Sequence, residues 1–279
     1  MLETDVRMTK DGVIIVCHDD NFHRICGPHS SDAMVKDTLL KDLPYFRDTL
    51  PIHFSKGQRY HMKEGDQRQF STLEEVFKVI PNEVVFSIEL KDRTNVDAQQ
   101  ELVRLIQKYN RQSTTVVGCE REEETLQLHA LDPSIPKFCS GDSMVKYMFA
   151  YWLGLLPFMR IDHHEMFALP YLTRDYLRMK LVEAREKTAL YYAFAILTVL
   201  GNLTSGGMFE HLARRGKHVN LWVVNDEDEM RRVIRTMRGV QGIMSDRPQA
   251  LGQVVREETK RAKELERERA ERLINKVTV

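Results

Sequence analysis

The stretch MLETDVRMTKDGVIIVCHD, residues 1–19, places two carboxylates and an imidazole on two predicted strands. Glu3 and Asp5 alternate along the first strand, and side chains at i and i+2 of a strand point to the same face. The second strand is the apolar run VIIVC, which leads directly to His18. This pattern indicates an active site at strand ends; surface carboxylates on an edge strand are the alternative explanation of the acidic pair.

Short β-rich runs recur along the chain between amphipathic windows. Seven strands are predicted, at 1–6, 13–17, 84–90, 115–118, 137–140, 219–225 and 242–245. Apolar residues recur with helical spacing in 72–80 and 96–109. Alternating strands and helices predict a parallel sheet, and the length suits one large α/β barrel or two smaller domains. Most of the strands end on a polar or charged residue, and in a (β/α)8 barrel that edge is the active face.

The strand at 84–90 carries a second polar alternation. Ser87, Glu89 and Lys91 share one face of an otherwise apolar run, and a buried glutamate requires a partner. Hard oxygen ligands without cysteine or paired histidine suit Mg²⁺ or Ca²⁺ rather than zinc. If the strands close into a barrel, Glu89 joins the acidic pair of the first strand as a third ligand to a divalent cation. Lys91 then serves as a cation for an anionic group such as phosphate.

His18 follows the last residue of its strand, which places it on the rim beside the predicted cation. An unperturbed imidazole titrates close to neutrality and therefore suits proton transfer. We predict that His18 is a catalytic acid or base; a solvated, hydrogen-bonded histidine is the alternative. The other histidines mostly lie in loops or polar helices without accompanying carboxylates.

Charge and cysteine content exclude two kinds of site. The 41 basic and 41 acidic residues give a formal net charge of +0, which removes the whole-molecule electrostatic case for binding nucleic acid. The four cysteines show no CxxC pair or other metal-type spacing, and free thiols are expected. The opening residues carry acidic groups and no apolar signal-peptide core, so an intracellular location is expected.

Four segments stand apart from the strand and helix rhythm. Segment 24–70 is polar and is predicted to be an insertion, either a loop over the site or a surface excursion without function.

The uncharged, aromatic-rich stretches 147–159 and 189–203 fall short of the roughly 20 residues that a spanning helix needs. Each is either a core element or an apolar rim at a bilayer interface, and flanking basic residues favour membrane contact. The charged tail 254–279 is predicted to form a solvated helix after one domain at 1–253.

Several motifs follow one another in a fixed order. The run 1–27 contains an ExDV strand, a TKDG turn and a strand ending in HD, followed by an arginine and a glycine. SIELK at 87–91, LWVVN at 221–225 and GIMSDRP at 242–248 come next. Together these motifs resemble the glycerophosphodiester phosphodiesterase family.

The resemblance implies a TIM barrel that hydrolyses a phosphodiester, with a divalent cation, Mg²⁺ or Ca²⁺, held by Glu3, Asp5 and Glu89. His18 would be one of two acid/base histidines, and Trp222 would line the substrate pocket or form part of the barrel core. The apolar stretches resemble the membrane-associated animal branch of the family, which acts on lysophospholipids as a lysophospholipase D. We therefore expect a membrane-associated intracellular protein, with a cytoplasmic location as the alternative.

Family members carry an HRG motif on their first strand and an ENT motif on the following helix, and this sequence has neither. The expected architecture is accordingly a TIM (β/α)8-type barrel lacking its first strand and helix, with seven strands recognisable. Two hypotheses follow from this pattern. The first is a metal-dependent phosphodiesterase in truncated form, and the second is an inactive isoform that serves as a binding or regulatory protein.

Overall fold

A computed structural model describes residues 1–27, 30, 33–52, 57–161, 164–171 and 206–277, the last five of these by their backbone alone. The chain divides into two compact units. The first comprises Met1–His53 and Gly57–Ala168, and the second comprises Phe54–Lys56 and Leu169–Val279.

The described residues form a mixed α/β structure. Its strands are β1 Leu2–Met8, β2 Ile14–Val16, β3 Thr49–Pro51, β4 Arg59–His61, β5 Phe86–Leu90, β6 Thr115–Gly118, β7 Met166–Pro170, β8 His218–Trp222 and β9 Gly242–Ile243. Its helices are α1 His23–Cys26, α2 Leu73–Val79, α3 Val96–Lys108, α4 Glu122–Leu131, α5 Gly141–Trp152, α6 Glu227–Thr236 and α7 Pro248–Val277, and residues 206–214 are also helical.

The main sheet of the first unit has the strand order β2-β1-β5-β6. β1 and β5 run parallel with Asp5 opposite Glu89, and β5 and β6 run parallel with Glu89 opposite Gly118. Residues paired across neighbouring strands project to the same face of a sheet. The register therefore sets the two carboxylates side by side.

The expectation of a wholly parallel sheet is wrong at β2, which pairs with β1 in the antiparallel sense. The TKDG turn is too short for a crossover connection, and strands joined by a tight turn must run antiparallel. Gly12 has a φ of 81°, a backbone conformation that glycine adopts without steric cost. Because Cys17 N–H donates to the Asp5 carbonyl at 2.9 Å, the hairpin brings its C-terminal end back to the carboxylate strand.

The segment that follows α4 makes isolated bridges and is not a further strand of this sheet. The predicted strand at 137–140 forms only isolated parallel bridges, from Lys137 to Val117 and from Phe138 to Met166. β7, which the sequence did not predict, begins at Met166. A Cβ on Gly118 would lie 2.6 Å from the Phe138 ring, so the absence of a side chain on β6 makes room for that ring.

Helices α2 and α3 form where helical spacing predicted them. Thr72 accepts a hydrogen bond from Glu75 N–H, and the Glu75 carboxylate accepts one from Thr72 N–H, so a capping box starts α2. Leu102 and Ile106, one turn apart on α3, are both fully buried in the main core. Their burial confirms the predicted apolar face of this helix.

The predicted insertion at 24–70 has a small apolar core of its own. Phe22, Val35 and Phe70 are buried together with Ile15 of β2. Phe70 makes edge-on ring contacts with Phe22 and Phe46, at centroid distances of 5.7 and 4.7 Å. Much of this segment is therefore packed against the hairpin.

The second unit contains β8 and β9, which run parallel with Asn220 opposite Gly242. Helices α6 and α7 are joined by ion pairs, from Arg231 to Glu257 at 2.7 Å and from Arg235 to Glu258 at 2.6 Å. The charged tail predicted from residue 254 onward is the continuation of α7, which begins at Pro248.

Candidate active site

Asp5, in the middle of β1, and Glu89 and Lys91, at the carboxyl end of β5, form a compact ionic cluster. Lys91 Nζ lies 2.9 Å from Asp5 Oδ1 and 2.8 Å from Glu89 Oε1. The three side chains are only 18, 18 and 27% exposed for Asp5, Lys91 and Glu89. Two partly buried carboxylates thus converge on the Lys91 ammonium.

The cluster changes the proton affinity of its members. Burial raises the pKa of Glu89, and the Asp5 charge adds to that effect while Lys91 opposes it. For Lys91, burial favours the neutral amine, but the two carboxylates outweigh burial and hold its pKa above the usual value. Lys91 is accordingly a firmly charged ammonium, suited to an anionic substrate group.

His18 stands at the end of the hairpin with a 55% exposed side chain. Its Nδ1 is 2.8 Å from Asp19 Oδ1, and Arg24 Nε donates to Asp19 Oδ2 at 2.5 Å. Burial alone would raise the pKa of Asp19, but the hydrogen bonds from His18 and Arg24 lower it well below its usual range. Asp19 is therefore a fixed anion that orients the imidazole.

The imidazole lies next to the strand that carries the ionic cluster, since Cys17, the residue before His18, donates its N–H to the Asp5 carbonyl at 2.9 Å. Arg7 reinforces this arrangement: its Nε donates to the His18 carbonyl at 3.1 Å, and its NH1 donates to Asp92 at 2.7 Å. Sequence reasoning did not assign roles to Arg7, Asp19 or Arg24. The HD pair was the available signal for Asp19, and the arginine that follows it in the same motif was the signal for Arg24, whereas Arg7 reaches Asp92 through a tertiary contact that no sequence spacing reveals.

Glu3 and Trp222 are the two remaining predicted site residues. Glu3 is exposed and lies opposite Ser87, one same-face position before Asp5. Trp222 is half-buried at the end of β8 in the second unit, where its carbonyl accepts a hydrogen bond from Tyr171 N–H at 2.7 Å. Within the described residues, no three histidine, cysteine or acidic side chains converge to hold a metal ion.

The chemistry of the donor set nevertheless fits a hard divalent cation. Asp5 and Glu89 each direct a carboxylate oxygen to the same position. The Lys91 ammonium lies there and contacts both oxygens, so the position is favourable for a cation. Oxygen-rich sites of this kind suit Mg²⁺ or Ca²⁺. Asp5 and Glu89 would hold such an ion, with Glu3 as the neighbouring acidic residue on the same strand.

The apolar stretch at 147–159 has both a buried and an exposed side. Tyr147 is buried, whereas Leu153 is 70% exposed and Phe158 is 86% exposed. The other predicted apolar stretch, 189–203, lies outside the described residues. In the parts of the chain that are described, every helix is too short or too polar to cross a membrane.

Comparison with known proteins shows to which proteins the chain is related. It matches the glycerophosphoryl diester phosphodiesterase family over residues 1–250. Human lysophospholipase D GDPD3 is 27% identical over 253 residues, which cover 90% of this chain and 74% of the human protein. Human lysophospholipase D GDPD1 is 30% identical over 255 residues, which cover 90% and 75% of the two chains.

Solved structures agree on the fold. A glycerophosphodiester phosphodiesterase from Thermotoga maritima has a TM-score of 0.52 at 17% identity, covering 91% of this chain and 83% of its own. A phosphodiesterase from Oleispira antarctica, solved with its product sn-glycerol-3-phosphate, has a TM-score of 0.58 at 16% identity, with coverage of 91 and 83%. These similarities confirm the predicted TIM-barrel fold class. The relatives are phosphodiester hydrolases of lipid metabolism, and the chain belongs to the glycerophosphoryl diester phosphodiesterase family.

Proposed function

We propose that this protein is a metal-dependent phosphodiesterase that hydrolyses lysophospholipids or related glycerophosphodiesters. The observation that carries the proposal is the convergence of Asp5, Glu89 and Lys91 beside His18 at neighbouring strand ends. Hydrolysis of a phosphodiester needs positive charge around the phosphoryl oxygens and a group that moves a proton to or from the reacting oxygens. This cluster offers both.

Each residue has a distinct task in the proposed reaction. Lys91 binds a phosphoryl oxygen and offsets the negative charge that grows there. His18 transfers a proton through its Nε2, because Asp19 holds the Nδ1 side of the ring. A divalent cation held by Asp5 and Glu89 would polarise the phosphoryl group.

The substrate assignment rests on the relatives. Both human proteins with 27 and 30% identity over 90% of the chain are lysophospholipases D. We therefore assign the same class of substrate, a lysophospholipid that releases choline or ethanolamine, to this chain.

The direct test is release of choline or ethanolamine from a lysophospholipid in the presence of Mg²⁺ or Ca²⁺. H18A and E89Q should each lower kcat by roughly 10²–10⁴-fold, and chelation of the metal should abolish turnover. The matched controls are H218A and E83Q, both on exposed residues, and these should retain full activity. Activity that survives H18A and E89Q would overturn the site, and a folded wild type without activity would favour the inactive binding isoform.

We also propose that the surface around residues 147–159 contacts an intracellular membrane. Leu153 and Phe158 expose apolar side chains between the basic residues Lys146 and Arg160. Apolar groups flanked by basic side chains suit a bilayer interface that carries anionic headgroups. An acyl chain of the substrate would be presented from the same surface.

Vesicle flotation measures this contact. L153S combined with F158S should reduce co-flotation with anionic phospholipid vesicles several-fold, because each serine removes an exposed apolar side chain from the interface. V79S removes a comparably exposed apolar side chain, 78% accessible, from α2 and should have no effect. Equal flotation of all three proteins would contradict membrane contact at this surface.

A further inference from the structure

Arg93 lies two residues beyond Lys91, in the turn that leads from β5 to α3. Its guanidinium faces two glutamates that follow β6, Glu120 in the connection and Glu124 in the first turn of α4. NH1 is 3.6 Å from Glu120 Oε2, and Nε is 3.6 Å from Glu124 Oε1. At these distances the groups attract one another as charges but do not form hydrogen bonds.

Arg93 and Glu124 each have a side-chain atom that could form a further hydrogen bond. Arg93 Nε and Glu124 Oε2 are buried atoms without a hydrogen-bond partner. Buried polar atoms are nearly always hydrogen-bonded, and an orphaned atom calls for an explanation such as an absent ion or ligand. The side chain of Arg93 is nevertheless 29% exposed, so a ligand has access to the guanidinium.

Arg93 and Glu124 adjoin the candidate active site through Cys119. This buried thiol follows Gly118, which is opposite Glu89 in the sheet. Glu120 follows this thiol directly, and its carboxylate lies 3.6 Å from Arg93 Nη1. The guanidinium therefore stands at the same sheet edge as the Glu89 carboxylate.

Two other arginines beside the site, Arg7 and Arg24, already donate hydrogen bonds to protein oxygens. Arg7 donates to Asp92 at 2.7 Å and to the His18 carbonyl, and Arg24 donates to Asp19 at 2.5 Å. Arg93 differs from both in that its Nε has no hydrogen bond and its acidic partners are loosely placed. A guanidinium with free donors presents them in a fork that matches phosphate oxygens.

We propose that Arg93 is a second phosphate-binding residue of this site, held in the unliganded protein by Glu124 and released to the oxyanion when substrate binds. The inference rests on the proposed phosphodiesterase function and names a specific anion contact for it. Lys91 and Arg93 then bind the phosphate from one strand end, with Glu124 as a competitor for the guanidinium. This competition gives the two residues opposite effects on phosphate affinity.

Calorimetric titration with inorganic phosphate and with sn-glycerol-3-phosphate, in buffer containing Mg²⁺, tests the proposal without any turnover. R93M should weaken binding of both anions roughly tenfold, as expected for loss of a charge-assisted contact. E124Q should tighten binding about threefold, because the neutral amide no longer competes with the anion for the Arg93 guanidinium.

R104M and E101Q are the matched controls, since this arginine and glutamate form a more exposed ion pair on α3. Neither should change anion affinity. A purely structural pair at Arg93 predicts instead that R93M and E124Q lower the melting temperature alike and leave affinity unchanged, and that result would overturn the inference. If R93M does not fold, unchanged or weaker binding by E124Q overturns it as well. The hydrolysis assay is separate, so failure of this inference is distinguishable from failure of the proposed function.

Discussion

Arg111 is a charged residue that belongs entirely to the core of the first unit. It is 0% exposed, and its guanidinium carbon lies 5.1 and 5.2 Å from the ring centroids of Phe77 and Phe86. The guanidinium also donates to the backbone carbonyl of Ile80 and, at 3.4 Å, to that of Val84. Burial lowers the pKa of Arg111, but an arginine remains charged throughout the accessible pH range.

R111M should therefore lower the free energy of unfolding by about 2–4 kcal/mol, since buried carbonyls lose a charged donor. Urea denaturation at pH 7 measures the change. R238M, at a position with an 86% exposed side chain, is the control and should alter stability by less than about 0.5 kcal/mol. A loss at Arg111 no larger than at Arg238 would contradict this role.

Residue-level prediction from the sequence depended on strand alternation. The i, i+2 rule placed Glu89 and Lys91 on one face, and the structure joins them by a 2.8 Å contact. The same rule cannot reveal the contacts of Arg111, because its partners lie 27–34 residues away in the sequence. Long arginine side chains reach their partners through tertiary packing, which periodicity does not encode.

At the scale of elements, the close contact between β6 and the segment after α4 depends on Gly118. G118A would place a methyl group 2.6 Å from a Phe138 ring carbon, and overpacking of this kind costs about 1–3 kcal/mol. Chemical denaturation should show that loss, and F138L in the same chain should recover part of it. G252A, in the open helix α7 with 3.5 Å to the nearest atom, should instead be neutral or stabilising. Equal effects at the two glycines would contradict the packing argument.

Element prediction succeeded where the pattern was long or strongly apolar, as in α3 and β5. It was wrong about the direction of β2, because the parallel rule for alternating strands and helices was applied across the turn at Gly12. β7 was not predicted from the sequence. Its sequence MFALP is a short apolar run, and such a run is compatible with either a strand or a helix.

For the whole molecule, acid stability is tied to a buried network around Glu122 and His164. His164 Nε2 lies 2.9 and 3.0 Å from the two Glu122 oxygens, and Ser140 Oγ donates to Glu122 at 3.0 Å. Burial raises the pKa of Glu122, but the hydrogen bond and charge of His164 outweigh it and the net pKa is lowered. A lowered carboxyl pKa contributes stability above the unfolded-state pKa, and that stability is lost as pH falls through the folded-state value.

E122Q should accordingly destabilise the protein at pH 7 by about 2 kcal/mol, the value of hydrogen bonds to a charged group. The difference from wild type should shrink as the pH is lowered below the ordinary glutamate range near 4.5. Unfolding free energies measured from pH 7 to pH 3 report this convergence, with the exposed neighbour E123Q as control. A difference that is constant with pH would contradict the role of the ionised carboxylate.

Arg7 links two contacts that differ greatly in chain separation, 11 residues to His18 and 85 residues to Asp92. Closing the longer loop costs about 2 kcal/mol more chain entropy than closing the shorter one. We therefore expect the hairpin that carries His18 to assemble locally and early, and the β5 end with Glu89 and Lys91 to join it later. In that order of folding, the histidine of the candidate site is in place before its lysine and its second carboxylate arrive.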